Sequence, residues 1–207
     1  MGEELQQLRD DIAFVRAVAQ EGNKSLARDG AVLAAAGAVF SLTSFQYWLI
    51  FAGILVVPRG WASWLWLDGT VVFFVAMAFI RAGMPRQLGA VSRVTQAAWT
   101  GVGIGITVGG AALGLGAWRL GLPLVVTGAF PILLFTLYGA AWGIAFAVRR
   151  RTALALVAIG CFVVAVACGI LMGEPQEWLA LALGLLLLVA GPGTAIVLQS
   201  RRDQDGN

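Results

Sequence analysis

Asp68 is the only acidic side chain well inside a long apolar run of this 207-residue chain; the other ten of its 11 acids lie in tails or loops. A central aspartate in a membrane helix costs about 2.5–3.5 kcal/mol on insertion scales, against a gain of about 0.3–0.6 for leucine. Asp68 is therefore expected to face protein rather than lipid. Counting inward from the turn near Pro58 at 1.5 Å per residue puts Asp68 about 15 Å deep and Gln46 about 18 Å deep. The two are expected to face each other, with Ser44 and Tyr47 close by. Such a carboxylate suits a proton relay or a cation ligand. The structural alternative is a hydrogen-bonded aspartate near the rim, drawn shallower by Trp61, Trp64 and Trp66.

No catalytic set stands beside it. The chain has no histidine, which removes the commonest general base and metal ligand. It carries no CxxC, HExxH, GxSxG or GxxxxGK[ST] pattern. An aspartyl intramembrane protease needs two facing acids. Gly101-Val102-Gly103 lies within an apolar run, without the strand–turn–helix setting of a dinucleotide site. No enzyme activity, cofactor or metal is expected. Cys161 and Cys168, seven apart on a helix, are separated by about 10.5 Å of rise, too far for a disulfide.

The elements that must position these residues follow from composition. The chain is 59% hydrophobic and 12% charged, where soluble domains run near 25% charged. Six apolar runs, at 30–57, 61–80, 94–117, 122–148, 152–172 and 178–198, each reach the roughly 20 residues that cross a bilayer. The first and fourth are long enough to tilt or project. Runs this long and continuous exclude a β-barrel. The predicted fold is all-α: a polytopic transmembrane bundle of six helices over 30–198. Residues 1–29 form a short cytoplasmic amphipathic helix and linker, and 199–207 a cytoplasmic tail. Because 29 mixed-charge residues precede the first run, that run reads as a retained anchor rather than a cleaved signal.

Leu5, Leu8, Ile12, Val15 and Ala19 form one stripe over roughly residues 3–20. That helix is expected to pack on the bundle's inner rim, to contact a second copy or another membrane protein, or to lie on lipid. Asp29-Gly30 reads as a cap for the first span. Pro175 with Glu174 and Glu177 reads as a helix start.

Twelve of the 14 basic residues fall on one side of this topology: Arg9, Arg16, Lys24, Arg28, Arg81, Arg86, Arg93, Arg149, Arg150, Arg151, Arg201 and Arg202. Only Arg59 and Arg119 fall on the other. Excess Lys/Arg in short loops marks the cytoplasmic side, so both termini are expected there. Trp61, Trp64, Trp66, Trp118 and Trp178 mark the opposite interface. The net charge of +3 comes from these anchors, and no nucleic-acid partner is expected.

In the third run Gly101, Gly105 and Gly109 repeat every four residues, and Gly110 and Gly114 add a second pair. Small residues let membrane helices approach closely, so this run is expected to pack as a central helix, or to dimerise. Pro131 and Gly191-Pro192-Gly193 lie deep in later spans and are expected to kink them.

The block Leu8-Arg9-Asp10-Asp11-Ile12-Ala13-Phe14-Val15-Arg16, followed by a glycine- and alanine-rich span, resembles small six-span bacterial inner-membrane proteins. The resemblance implies that fold and location and carries over no reaction, substrate or site residue. Two functional expectations follow. The first is a regulatory, sensory or accessory subunit acting through protein contacts in the membrane. The second is a small transporter or channel using Asp68.

Overall fold

The computed structural model describes residues 2–58, 61–83, 90–121 and 123–205. Helices α1 (Gly2–Phe51), α2 (Trp61–Ala82), α3 (Ala90–Leu120), α4 (Pro123–Arg149) and α5 (Thr152–Ile170) are followed by α6 (Pro175–Leu185). A π turn, Leu186–Ala190, joins α6 to α7 (Gly191–Asp205) in one rod. Six stretches are long and apolar enough to cross a membrane: Ala27–Phe51, Trp64–Ala82, Ala97–Leu120, Gly128–Arg149, Thr152–Ile170 and Pro175–Arg202. The predicted runs match them in number and order. Arg59 and Arg86 lie outside the described residues, as do the side chains of the 5–19 stripe.

The first element departs from expectation. α1 is a single helix through residues 21–30, so Asp29 caps nothing and no linker separates two segments. Glycine inside a helix costs about 1 kcal/mol relative to alanine, but here its missing side chain is used for packing. A Cβ on Gly30 would lie 2.9 Å from the Gly193 carbonyl oxygen, and one on Gly37 would lie 2.8 Å from Ala190 Cα. Gly30, Ala34, Gly37, Ser41 and Ser44, spaced 4, 3, 4 and 3, thus form a seam along which α1 meets the α6–α7 rod. Ser41 Oγ closes it by donating to the Ala182 carbonyl at 2.8 Å.

The π turn explains how Pro192 sits inside a span. Proline has no N–H and its ring crowds the carbonyl four residues back. Widening the preceding turn relieves this, and the Gly191 N–H donates to Leu186 O, five residues back. Helical backbone resumes directly at Gly191-Pro192-Gly193. Pro131 is fully buried within α4, which runs on through it.

The core lies among α4, α5 and the α6–α7 rod. Phe135, Cys161, Cys168, Leu181 and Val189 are fully buried, and both cysteines are unpaired as the spacing required. α4 and α5 form a tight hairpin in which Arg150 adopts the left-handed conformation, with φ of 53°. A side chain there costs about 1 kcal/mol or more that glycine avoids. Arg150→Gly is therefore expected to raise unfolding stability by about 1 kcal/mol in a detergent denaturation series.

The third glycine-rich helix is peripheral, contrary to expectation. Only 11% of the α3 span and 6% of the α2 span are buried, against 39% for the α1 span. α3 packs substantially on α4 alone, and α2 on α1 alone. Gly105, Gly109 and Gly110 do serve close packing, against Leu137, Leu133 and Phe130 of α4. Gly101 and Gly114 have no neighbour within 4 Å of a Cβ position.

Candidate functional site

Because α2 leans only on α1 and α3 only on α4, the two arms leave a cleft between them. The cavity holds about 780 Å³, within the 300–1,000 Å³ of typical ligand sites. One wall is α1, through Val32, Leu33, Ala36 and Phe40; α2 adds Trp66, Thr70, Phe73 and Met77. Opposite stand Thr100, Gly103, Thr107 and Gly110 of α3, with Phe130 and Tyr138 of α4 behind. Phe74, Ile104 and Val108 line the cleft yet remain about half exposed or more, so it opens sideways between α2 and α3.

Side-chain chemistry makes this surface more apolar than its residue types suggest. Thr70 Oγ1 donates to Trp66 O at 2.7 Å, and Thr107 Oγ1 donates to Gly103 O at 2.8 Å. Each hydroxyl is thus satisfied on its own helix. Trp66 closes the deep end, edge-on to Phe130 at 6.3 Å and stacked on Phe40 at 6.0 Å. Trp99 lies tilted to Tyr138 at 5.9 Å and edge-on to Trp142 at 5.0 Å. Charge is confined to the other end, where Arg28, Asp29 and Arg81 line the mouth. Asp29 lies in the field of both Arg28 and Arg149, and Arg149 in turn in that of Arg151. Arg28, Arg81, Arg149 and Arg151 of the predicted arginine side therefore gather at one end of the bundle.

The residues singled out in the sequence lie elsewhere. Asp68 is exposed on α2 and does not line the cleft. Its neighbour Gly69 is the residue that meets α1, at Thr43, and one helical step turns Asp68 about 100° away. Gln46 is half-buried, while Ser44 is fully buried and donates to Phe40 O at 2.7 Å. Tyr47 belongs to an aromatic cluster, 4.8 Å from Trp178 and 5.9 Å from Trp66. None of the four lines the cleft. Among the described residues no three acidic or cysteine side chains gather as a metal site would require.

Two features escaped the sequence reading. Thr100, Gly103, Thr107, Gly110 and Gly114, spaced 3, 4, 3 and 4, share one side of α3, and four of the five line the cleft. The spacing was legible, but the glycine pattern at 101, 105 and 109 pointed to another face. Glu177, read as a helix-start acid, does begin α6 with Pro175 at its first turn, but it is only 2% exposed. Its Oε2 accepts from the Gly173 N–H at 3.0 Å, and its Oε1 has no partner.

Comparison with protein-family models, with curated proteins and with solved structures gives no match.

Proposed function

We propose that the chain is a non-catalytic integral protein of a bacterial inner membrane, with both termini cytoplasmic. Its role in this reading is that of a regulatory, sensory or accessory component whose working part is the lateral cleft. The cleft holds an apolar guest drawn from the bilayer. The observation that carries this reading is the cleft itself: an apolar slot between two helix arms that pack elsewhere, opening toward the region lipid would occupy. Proteins normally fill such space with side chains. Here α3 turns Thr100, Gly103, Thr107 and Gly110 toward it, between the larger Ile104, Ile106 and Val108 that also line it, and the space stays open.

The transporter reading has less support, since Asp68 does not line the cleft. Asp68→Asn is expected to lower stability by no more than about 0.5 kcal/mol, because an exposed carboxylate within the Trp64–Ala82 span carries an insertion cost that a neutral amide lessens. A larger loss on denaturation in detergent would restore a structural role for the carboxylate.

Gly103 offers the test of the guest. A Cβ there meets nothing within 4 Å, so Gly103→Phe fills the cleft without disturbing a packed neighbour. Native mass spectrometry of the full chain, extracted in mild detergent, should show one retained lipid-sized adduct in wild type and none in the variant. A bare wild type, or an adduct that survives the substitution, would refute the reading.

A further inference from the structure

We propose that the guest is an anionic phospholipid, its phosphate held at the cleft mouth by Arg28 and Arg81 and one acyl chain laid inward toward Trp66. This rests on the cleft reading above and adds the identity of the headgroup.

The argument begins with dimensions. Arg81 and Trp66 both line the cavity and lie fifteen residues apart on α2, about 22 Å of helix. One leaflet of hydrocarbon is about 15 Å deep. The cleft is thus long enough for a chain that enters beside the mouth arginines and crosses its own leaflet. A transmembrane helix, about 10 Å wide with its side chains, needs a larger cross-section than about 780 Å³ spread over that length provides.

Polarity then selects the headgroup. All charged lining residues lie at one end, and the remaining lining is apolar, aromatic or internally satisfied threonine. That is the polarity of an amphiphile, charged at one tip and greasy along its length. The sign follows from the side chains. Arg28 and Arg81 stand at the mouth, and Asp29 has the further guanidinium of Arg149 close enough to act on it. Three cations against one carboxylate leave the mouth positive. Guanidinium matches phosphate with two parallel hydrogen bonds, and basic pockets between helices on the cytoplasmic side suit anionic headgroups. A zwitterionic phospholipid brings the same phosphate but adds an ammonium, which a positive mouth disfavours.

The test is lipid exchange into the full-length protein in detergent, with phosphatidylglycerol and phosphatidylcholine of identical chains as probes. Bound lipid is counted by native mass spectrometry for wild type, Arg28→Gln/Arg81→Gln and Gly103→Phe. Wild type should prefer phosphatidylglycerol by about tenfold, because both lipids offer a phosphate and only phosphatidylcholine brings a cation to the positive mouth. The double arginine variant should still take lipid but lose the preference, and Gly103→Phe should take neither. Equal binding of both lipids by wild type would overturn the anionic assignment and leave the cleft reading standing. Preference that persists without both arginines would overturn it as well. No lipid on wild type, or a second copy or another protein in its place, would sink both.

Discussion

Replacing Gly37 by leucine is expected to cost about 3 kcal/mol or more, enough to remove most of the protein from the monodisperse fraction in detergent. The seam between α1 and the α6–α7 rod closes on this residue. The nearest atoms to a Cβ at Gly37 are the backbone N and Cα of Ala190, the latter at 2.8 Å. A side chain could swing aside; the backbone of the π turn cannot. Overpacking against flexible neighbours typically costs about 1–3 kcal/mol, and this site lies at or above that range. Burial between helices gains little in lipid, where the surroundings are as apolar as leucine, so association depends on close van der Waals approach. Gly101→Ala is the matched control. A Cβ there meets nothing within 4 Å, and helix propensity alone should make that variant more stable by up to about 1 kcal/mol. Guanidinium-free thermal unfolding, followed by light scattering, separates the two.

Glu177 carries the second large effect. Glu177→Ala should lower stability by about 2–4 kcal/mol, whereas Glu177→Gln should stay within about 1 kcal/mol of wild type. The carboxylate bridges the α5–α6 connection, accepting from the N–H of Gly173, which has a φ of 86°. Alanine leaves that donor without an acceptor, at about 1–3 kcal/mol, and opens a void among buried neighbours. Glutamine keeps the acceptor and the volume while removing a group that needs two partners and has one. If glutamine proved as damaging as alanine, the acidic group itself would be required for something beyond the turn. The same thermal measurement reports both variants.

Much of the architecture was legible because membrane helices announce themselves by length and apolarity alone. Six runs became six helices able to span, Pro175 opened α6, and arginines of α1, α2 and the α4–α5 hairpin met at one end. What periodicity could not supply was azimuth. Depth arithmetic set Asp68 and Gln46 at one level, yet Gly69 rather than Asp68 turned toward α1. Asp29-Gly30 has the chemistry of a cap, and only the partner helix shows that Gly30 is a packing surface. The same ambiguity hid the cleft. A glycine face reads identically whether a helix fills it or leaves it open, and α3 does each on a different side. Glu177 does open α6 as its place in the chain implies, but its burial beneath the α5–α6 connection was hidden for a related reason.

The unbroken course of α1 has a mechanical consequence. From Gly2 to Gly30 the helix extends about 42 Å, while the seam from Gly30 to Ser44 grips it over about 21 Å. A sideways push at the far tip therefore reaches the ends of the grip multiplied roughly twofold. The gripped stretch also carries Leu33, Ala36 and Phe40 of the cleft wall. The helix that carries the outer end of this lever is thus the same helix that forms one wall of the slot.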